Sequence, residues 1–202
     1  MSGIRSIRQQ TNNRFLNCFE LEAVHRDGRV SPYYVASRAK DVASLKAVTH
    51  ENNPDGVILY GIYGQQRDRV VLIRQYRYPL GGYLYEFPAG LVEDGEKMTQ
   101  AGIREMFEET GLTFTPVEAG SYSRPFFTTA GMTDESCAML FGYCAGTPTS
   151  ANEEASEEIQ VILADRAEAK RILREENVAL MCAYMLMHFI ASPGDPLAFI
   201  KE

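Results

Sequence analysis

Tryptophan is absent from the 202 residues, so any aromatic stacking on a ligand falls to Tyr or Phe. Cysteine is sparse: Cys18, Cys137, Cys144 and Cys182 are scattered without a CxxC pair, which excludes a zinc knuckle or small disulfide framework and favours reduced thiols. No hydrophobic run approaches transmembrane length. The opening MSGIRSIRQQTNN is basic and polar with no apolar stretch behind it, unlike a secretory signal. Positive charge is in deficit as well. A net charge of -7 argues against a nucleic-acid binder, which clusters Lys and Arg to displace counterions. A small-molecule partner suits the chain better, and an anionic one is compatible if a divalent cation neutralises both ligand and site. Internal repeats and low-complexity segments are missing too. The 45% of hydrophobic residues is enough for a sizeable core in one domain or a domain with an appendage.

From Phe15 to Arg38 apolar and polar residues alternate around Asp27-Gly28, which predicts a β-hairpin. The polar stretch 49–55 reads as a loop, with a boundary near residue 50. Runs rich in Val, Ile, Leu and Tyr predict strands at 56–63 and 70–76 about a polar turn at 64–68. Thr99, Ile103, Met106, Phe107 and Thr110 recur at helical spacing, and Gly111 stands where a left-handed cap closes a helix, predicting one over 97–110. Further strands are expected at 122–126, 138–144 and 159–163, and helices at 166–175 and 179–191. The run MCAYMLMHFI invites a cofactor-box reading, but flexible Met side chains commonly fill gaps between helices, and core packing is expected.

On the 97–110 helix a 100° step places Glu105, Glu108 and Glu109 on one arc, opposite a face of Ile103, Met106 and Phe107. Taken alone, such an arc also suits a solvated surface, and Arg104 to Glu108 is an ordinary i,i+4 ion pair. The flanks change this. Gly90, Glu96, Arg104, Glu105, Met106, Glu108, Glu109, Gly111 and Leu112 meet every fixed position of one signature, seven invariant letters and two hydrophobic positions over 23 residues without a gap.

This resembles the Nudix box, GX5EX7REUXEEXGU. The chemistry explains the residue types: a pyrophosphate repels an incoming water until a metal neutralises its oxygens, and hard Mg²⁺ takes carboxylates and waters. The resemblance implies metal ligands at Glu105, Glu109 and Glu108, with the carbonyl of Ala89 as a further ligand. It implies structural roles for Gly90, Glu96 and Gly111. Arg104 is read as the side chain that holds a glutamate in place.

Outside the box, VLIRQYRYPL (71–80) and YEFPAGLVEDGE (85–96) are similar to the ADP-ribose pyrophosphatase branch of that family, over roughly residues 13–190. YYVASR on the hairpin and the acidic turn EEASEEI add to the likeness. The resemblance implies substrate contacts at Arg77, Arg38, Tyr33 and Leu91. Arg77 also suits a plain surface cation, and Tyr33 with Arg38 an ordinary exposed hairpin. Many relatives carry Ser-Pro-Gly followed by a Glu that serves as general base. Here TAGMTDES (129–136) keeps Gly131 and Glu135 but has Ala130 in place of the proline. Glu135 and Glu108 both stand as catalytic candidates for the base, beside a bland reading of Glu135 as a loop carboxylate.

The expected fold is thus α/β of the α+β type, a Nudix α/β/α sandwich with a mixed sheet, preceded by a small N-terminal antiparallel β region. Residues 1–49 are expected to form that region and to serve dimerisation, and 50–202 the hydrolase domain. The resemblance implies a cytoplasmic homodimer without nucleic-acid or membrane partners, using Mg²⁺ with Mn²⁺ as a substitute. Its substrate would be a nucleoside diphosphate linked to another moiety, foremost ADP-ribose split to AMP and ribose 5-phosphate. Alternatives are a GDP-sugar, a dinucleoside polyphosphate, or a non-catalytic sensing module.

Overall fold

The computed structural model describes residues 2–93, 95–149 and 158–200; the acidic turn EEASEEI lies outside the described residues from 153 to 157. In chain order the elements begin with β1 (Gly3–Gln9), β2 (Asn17–Val24), β3 (Val30–Ser37), α1 (Lys46–Thr49), β4 (Gly56–Tyr63), β5 (Arg69–Arg77), β6 (Gly82–Glu86) and β7 (Ala89–Leu91). They continue with α2 (Met98–Thr110), β8 (Thr113–Val117), β9 (Pro125–Phe127), β10 (Ser136–Ala145), β11 (Ile159–Ala164), α3 (Arg166–Glu175) and α4 (Leu180–Ala191). The architecture is the expected mixture of α and β, a small antiparallel N-terminal sheet and a larger one. Two compact units divide it: Met1–Asp55 with Pro125–Cys137, and Gly56–Arg124 with Ala138–Glu202.

In the first unit β1, β2 and β3 form an antiparallel sheet with β2 in the middle. The hairpin pairs Asn17 with Ser37 through Val24 with Val30, and Gly28 closes its turn at φ 86°, a left-handed conformation that suits a residue without Cβ. Alternation sends Phe19 and Leu21 to one face, where they pack with Leu45, Ile7, Val35, Ala39 and Val42. The sequence pattern missed β1. Its pairing shifts register between Ile4 and Ile7, which breaks the strict alternation that identifies a strand. Polar contacts to β2 accompany the pairing, Ser6 to Glu22 at 2.6 Å and Arg8 to Glu20 at 2.8 Å.

In the second unit the strand order is β11-β5-β4-β10-β8, with β6 on β5 and β7 on β4. GVILYGI of β4 and the VVLI of β5 are buried, as expected of strands covered on both faces. β5 runs antiparallel to β11, pairing Gln75 with Ile159 through Val70 with Ala164. Helix α2 packs on β4, β7 and β8, while α3 and α4 pack on each other. Strands β6, β7 and β8 are short and lack a clear period, so the sequence pattern passed over them.

Three expectations need correction. Ile103 and Phe107 do not line the inner face of α2: they are 44% and 53% exposed, and Met106 alone of that trio is buried. The inner stripe is Ala101, Gly102, Met106, Glu109 and Thr110. Closeness decides this rather than hydrophobicity, because a Cβ at Gly102 would stand 2.5 Å from Leu140 Cδ1 and 2.9 Å from Leu59 Cδ2. The segment expected as a strand at 122–126 is instead a 3₁₀ turn over Gly120–Ser123 followed by β9, for Pro125 lacks the N–H that would continue a ladder into it. The Met-rich α4 packs as core through Cys182, Leu186 and Phe189, yet Leu180, Tyr184 and Met187 on its other side are exposed.

Candidate functional site

The box residues all lie in the second unit. β7 delivers Ala89, Gly90 and Leu91 by pairing with Ile58, Val57 and Gly56 of β4. α2 then delivers Arg104, Glu105, Glu108 and Glu109, and ends at Gly111 with φ 70°, where the Gly111 N–H donates to the Phe107 carbonyl at 2.8 Å. A side chain at 111 would overlap Thr149 as well as strain the backbone.

Arg104 organises the carboxylates. Nε and one terminal nitrogen donate to both oxygens of Glu96 at 3.1 and 3.0 Å, a bidentate pair. The other terminal nitrogen donates to Glu105 at 2.7 Å and Glu108 at 3.1 Å, and the nitrogen that meets Glu96 also donates to the Leu91 carbonyl at 3.0 Å. All five guanidinium N–H groups are thereby engaged. The contact with Glu96 raises the Arg104 pKa and holds the Glu96 carboxyl below its ordinary value. Glu109 is held differently. It is 2% exposed, and the Ala89 N–H donates to its Oε2 at 2.9 Å.

Two observations bear on whether a divalent cation suits these residues. A Cβ at Gly90 would overlap the Glu105 carboxyl, so only glycine lets that carboxylate lie against the backbone of β7. Glu96, Glu105 and Glu108 share the Arg104 guanidinium while Glu109 is held by the Ala89 N–H, so four carboxylates stand with a single basic side chain among these five residues. Oxygen donors in excess of cations are what a hard metal ion requires. Among the described residues no group of three His, Cys, Asp or Glu is already gathered as a ligand set.

Arg77 pairs with Glu86 at 2.7 Å across β5 and β6. The RQYR and E-PAG strings therefore meet through a guanidinium and a carboxylate. Sequence reasoning quoted Glu86 inside its string without nominating it, because a half-buried carboxylate facing an Arg on the neighbouring strand leaves no periodic signal.

Tyr33, Arg38 and Glu135 lie in the first unit, and there the structure brings them together. The Tyr33 hydroxyl donates to the Gly131 carbonyl at 2.6 Å, and the Ala36 N–H to the Met132 carbonyl at 2.9 Å, tying the segment that carries Glu135 to β3. Arg38 donates from Nε and a terminal nitrogen to Glu135 Oε1 at 3.2 and 3.1 Å. The Thr128 hydroxyl donates to Oε2 at 3.1 Å, which leaves that oxygen room for another donor. Thr128 was missed by sequence reasoning, as were Lys46, Asp55 and Ser136 beside this segment. Burial pushes the Cys137 thiol up to about 11 and the Cys144 thiol to about 12, so both are protonated at neutral pH and unsuited to nucleophilic work.

The NUDIX domain family model matches residues 52–181. A putative nudix hydrolase 2 of Caenorhabditis elegans is 35% identical over 123 residues, 58% of this chain and 54% of that protein. An ADP-sugar pyrophosphatase of Mus musculus is 55% identical over 42 residues, 21% of this chain and 19% of that one. An ADP-ribose pyrophosphatase of Bacillus subtilis (strain 168) is 36% identical over 70 residues, 33% and 35% of the two chains. The chain spans about half the length of the first of these and less of the others. A crystal structure of an ADP compounds hydrolase shares the fold at TM-score 0.62 and 17% identity, covering 86% of this chain and 83% of that one. No described helix is long and apolar enough to cross a membrane.

Proposed function

The chain belongs to the NUDIX domain family, and from that premise we propose that it is a Mg²⁺-dependent pyrophosphatase whose substrate is a nucleoside diphosphate linked to another moiety. The observation that carries this reading is the complete carboxylate set about Arg104, with Gly90 leaving space for Glu105. Glu105, Glu108, Glu109 and the Ala89 carbonyl would hold the cation, which would supply neutralisation of phosphate oxygens and a lowered pKa for the attacking water. Arg104 does the positioning: its fork fixes Glu105 and Glu108 on a helix that itself is locked to the sheet by Gly102, and ties Glu96 ahead of that helix to them.

Glu135 accepts the proton of the attacking water, and Glu108, at 43% side-chain exposure the most open of Arg104's three carboxylate partners, is the alternative acceptor. Arg77, Arg38, Tyr33 and Leu91 contact the substrate. ADP-ribose, split to AMP and ribose 5-phosphate, is the substrate we favour. The names of the mouse and Bacillus relatives support that choice, as do the RQYR and E-PAG strings. Residues 1–49 serve dimerisation, 50–202 form the hydrolase domain, and the homodimer works in the cytoplasm with Mn²⁺ as a substitute metal.

The test is turnover of ADP-ribose, ADP-sugars, GDP-mannose and diadenosine polyphosphates in Mg²⁺, with EDTA as control. ADP-ribose should give AMP and ribose 5-phosphate, and EDTA should abolish it. A kcat/KM about tenfold higher for GDP-mannose or a dinucleotide, worth ~1.4 kcal/mol of transition-state binding, would displace ADP-ribose as the substrate.

A further inference from the structure

Lys46 opens the short helix α1 in the first unit, outside every motif quoted from the sequence. Its ammonium donates to Asp55 Oδ2 at 2.6 Å and to Ser136 Oγ at 2.6 Å. Its backbone N–H donates to Asp134 Oδ2 at 3.3 Å. Asp134 and Ser136 are the two chain neighbours of Glu135, so residue 46 holds the side chains on both sides of that carboxylate, Ser136 through its ammonium and Asp134 through its main-chain N–H. Asp55 reinforces the anchor from the same side, because its Oδ2 also accepts the Ser136 N–H at 2.9 Å and its own N–H donates to the Ser136 carbonyl at 2.8 Å. The Ser136 hydroxyl donates in turn to the Asn53 carbonyl at 3.2 Å.

This is a sheltered network. The Lys46 and Asp55 side chains are 14% and 20% exposed, and Ser136 is fully buried. Removing one partner of a sheltered ion pair leaves the other charge uncompensated and forces local rearrangement. Here the rearrangement would fall on the residues that aim Glu135. Arg38 and Thr128 fix the carboxylate itself, whereas Lys46 fixes the chain that bears it.

We propose that Lys46 is a positioning residue for Glu135, its ammonium acting through Asp55 and Ser136 to set where the carboxylate stands when it takes a proton. The inference rests on the reading of Glu135 as the proton acceptor. General bases work only within hydrogen-bond reach of the proton they remove, and a misplacement of about 1 Å can cost about 10²-fold in rate.

The experiment compares kcat, KM and the Mg²⁺ activation constant for ADP-ribose hydrolysis in wild type, Lys46→Met, Glu135→Gln and the double variant, with thermal unfolding to verify the fold. Lys46→Met should lower kcat about tenfold or more, leave KM and Mg²⁺ activation within about twofold, and add nothing in the Glu135→Gln background. A merely structural loss would instead multiply with Glu135→Gln. Should Lys46→Met not fold, Ser136→Ala removes one of the two ammonium contacts and should reproduce a smaller kcat loss with the same non-additivity. Independent, multiplying effects, or a Lys46→Met kcat within about twofold of wild type against the tenfold expected, overturn the positioning role alone. Wild-type turnover in Glu135→Gln, or an enzyme inert to ADP-ribose, sinks the catalytic reading and this inference with it.

Discussion

Glu109 and Glu135 are both carboxylates fixed by named donors, but they are held by different kinds of structure. Glu109 sits on the inner stripe of a thirteen-residue helix, 2% exposed, against a backbone N–H of β7. Glu135 stands just before β10, 31% exposed at its side chain, between the arginine that follows β3 and a threonine hydroxyl. A cation ligand works from a fixed position, and a helix locked to a sheet supplies one. A proton acceptor must meet a water that arrives with substrate, and a residue on a connecting segment can adjust. The contrast predicts that substitutions in the two regions fail in different ways.

The largest effect should come from Glu109→Gln. It keeps the size and the contact with the Ala89 N–H, so the fold should survive while kcat in Mg²⁺ falls by orders of magnitude; a variant with near-normal turnover would remove Glu109 from the site. Glu135→Gln should lower kcat by about 10²–10⁴-fold with KM nearly unchanged. If that variant keeps more than about half of wild-type kcat where such a loss is expected, Glu108 becomes the acceptor.

Smaller changes probe the support of the helix. Gly102→Ala would press a methyl onto Leu140 and Leu59, and overpacking of this kind costs about 1–3 kcal/mol. A melting temperature lowered by several degrees should result, and an unchanged one would mean that α2 is free to shift. Glu96→Gln tests the Arg104 fork by pH. Because the fork holds the folded Glu96 pKa below its unfolded value, the stability it adds is full above the ordinary carboxylate range, about pH 4.3, and disappears as pH falls through the folded pKa. The gap in melting temperature between wild type and Glu96→Gln should therefore be widest at neutral pH and shrink in acid. A gap that widens in acid would contradict the assignment.

What could be seen in the sequence follows the same division. The box is legible because its residues fall on one strand end and one helix, where a fixed spacing translates into a fixed geometry. Even there the pattern misjudged Ile103 and Phe107, since helix α2 approaches the sheet through Ala101 and Gly102 and a small residue carries no hydrophobic signal. The cluster in the first unit joins residues 33, 38, 46, 55, 128 and 135 by hydrogen bonds across loops and strands. Tyr33, Arg38 and Glu135 were reachable only through family resemblance. Lys46, Asp55 and Ser136 were not reachable at all, because nothing periodic links them. β1 was hidden by its shifted register, and β9 by a proline and a 3₁₀ turn.

The most direct test of the account is a Mg²⁺ titration of ADP-ribose hydrolysis in Glu109→Gln and Glu135→Gln beside wild type. Glu109→Gln should need far more Mg²⁺ for its residual activity, while Glu135→Gln should saturate at the wild-type concentration with only its maximum rate reduced. Equal Mg²⁺ requirements in all three proteins would contradict the assignment of the helix carboxylates to the cation.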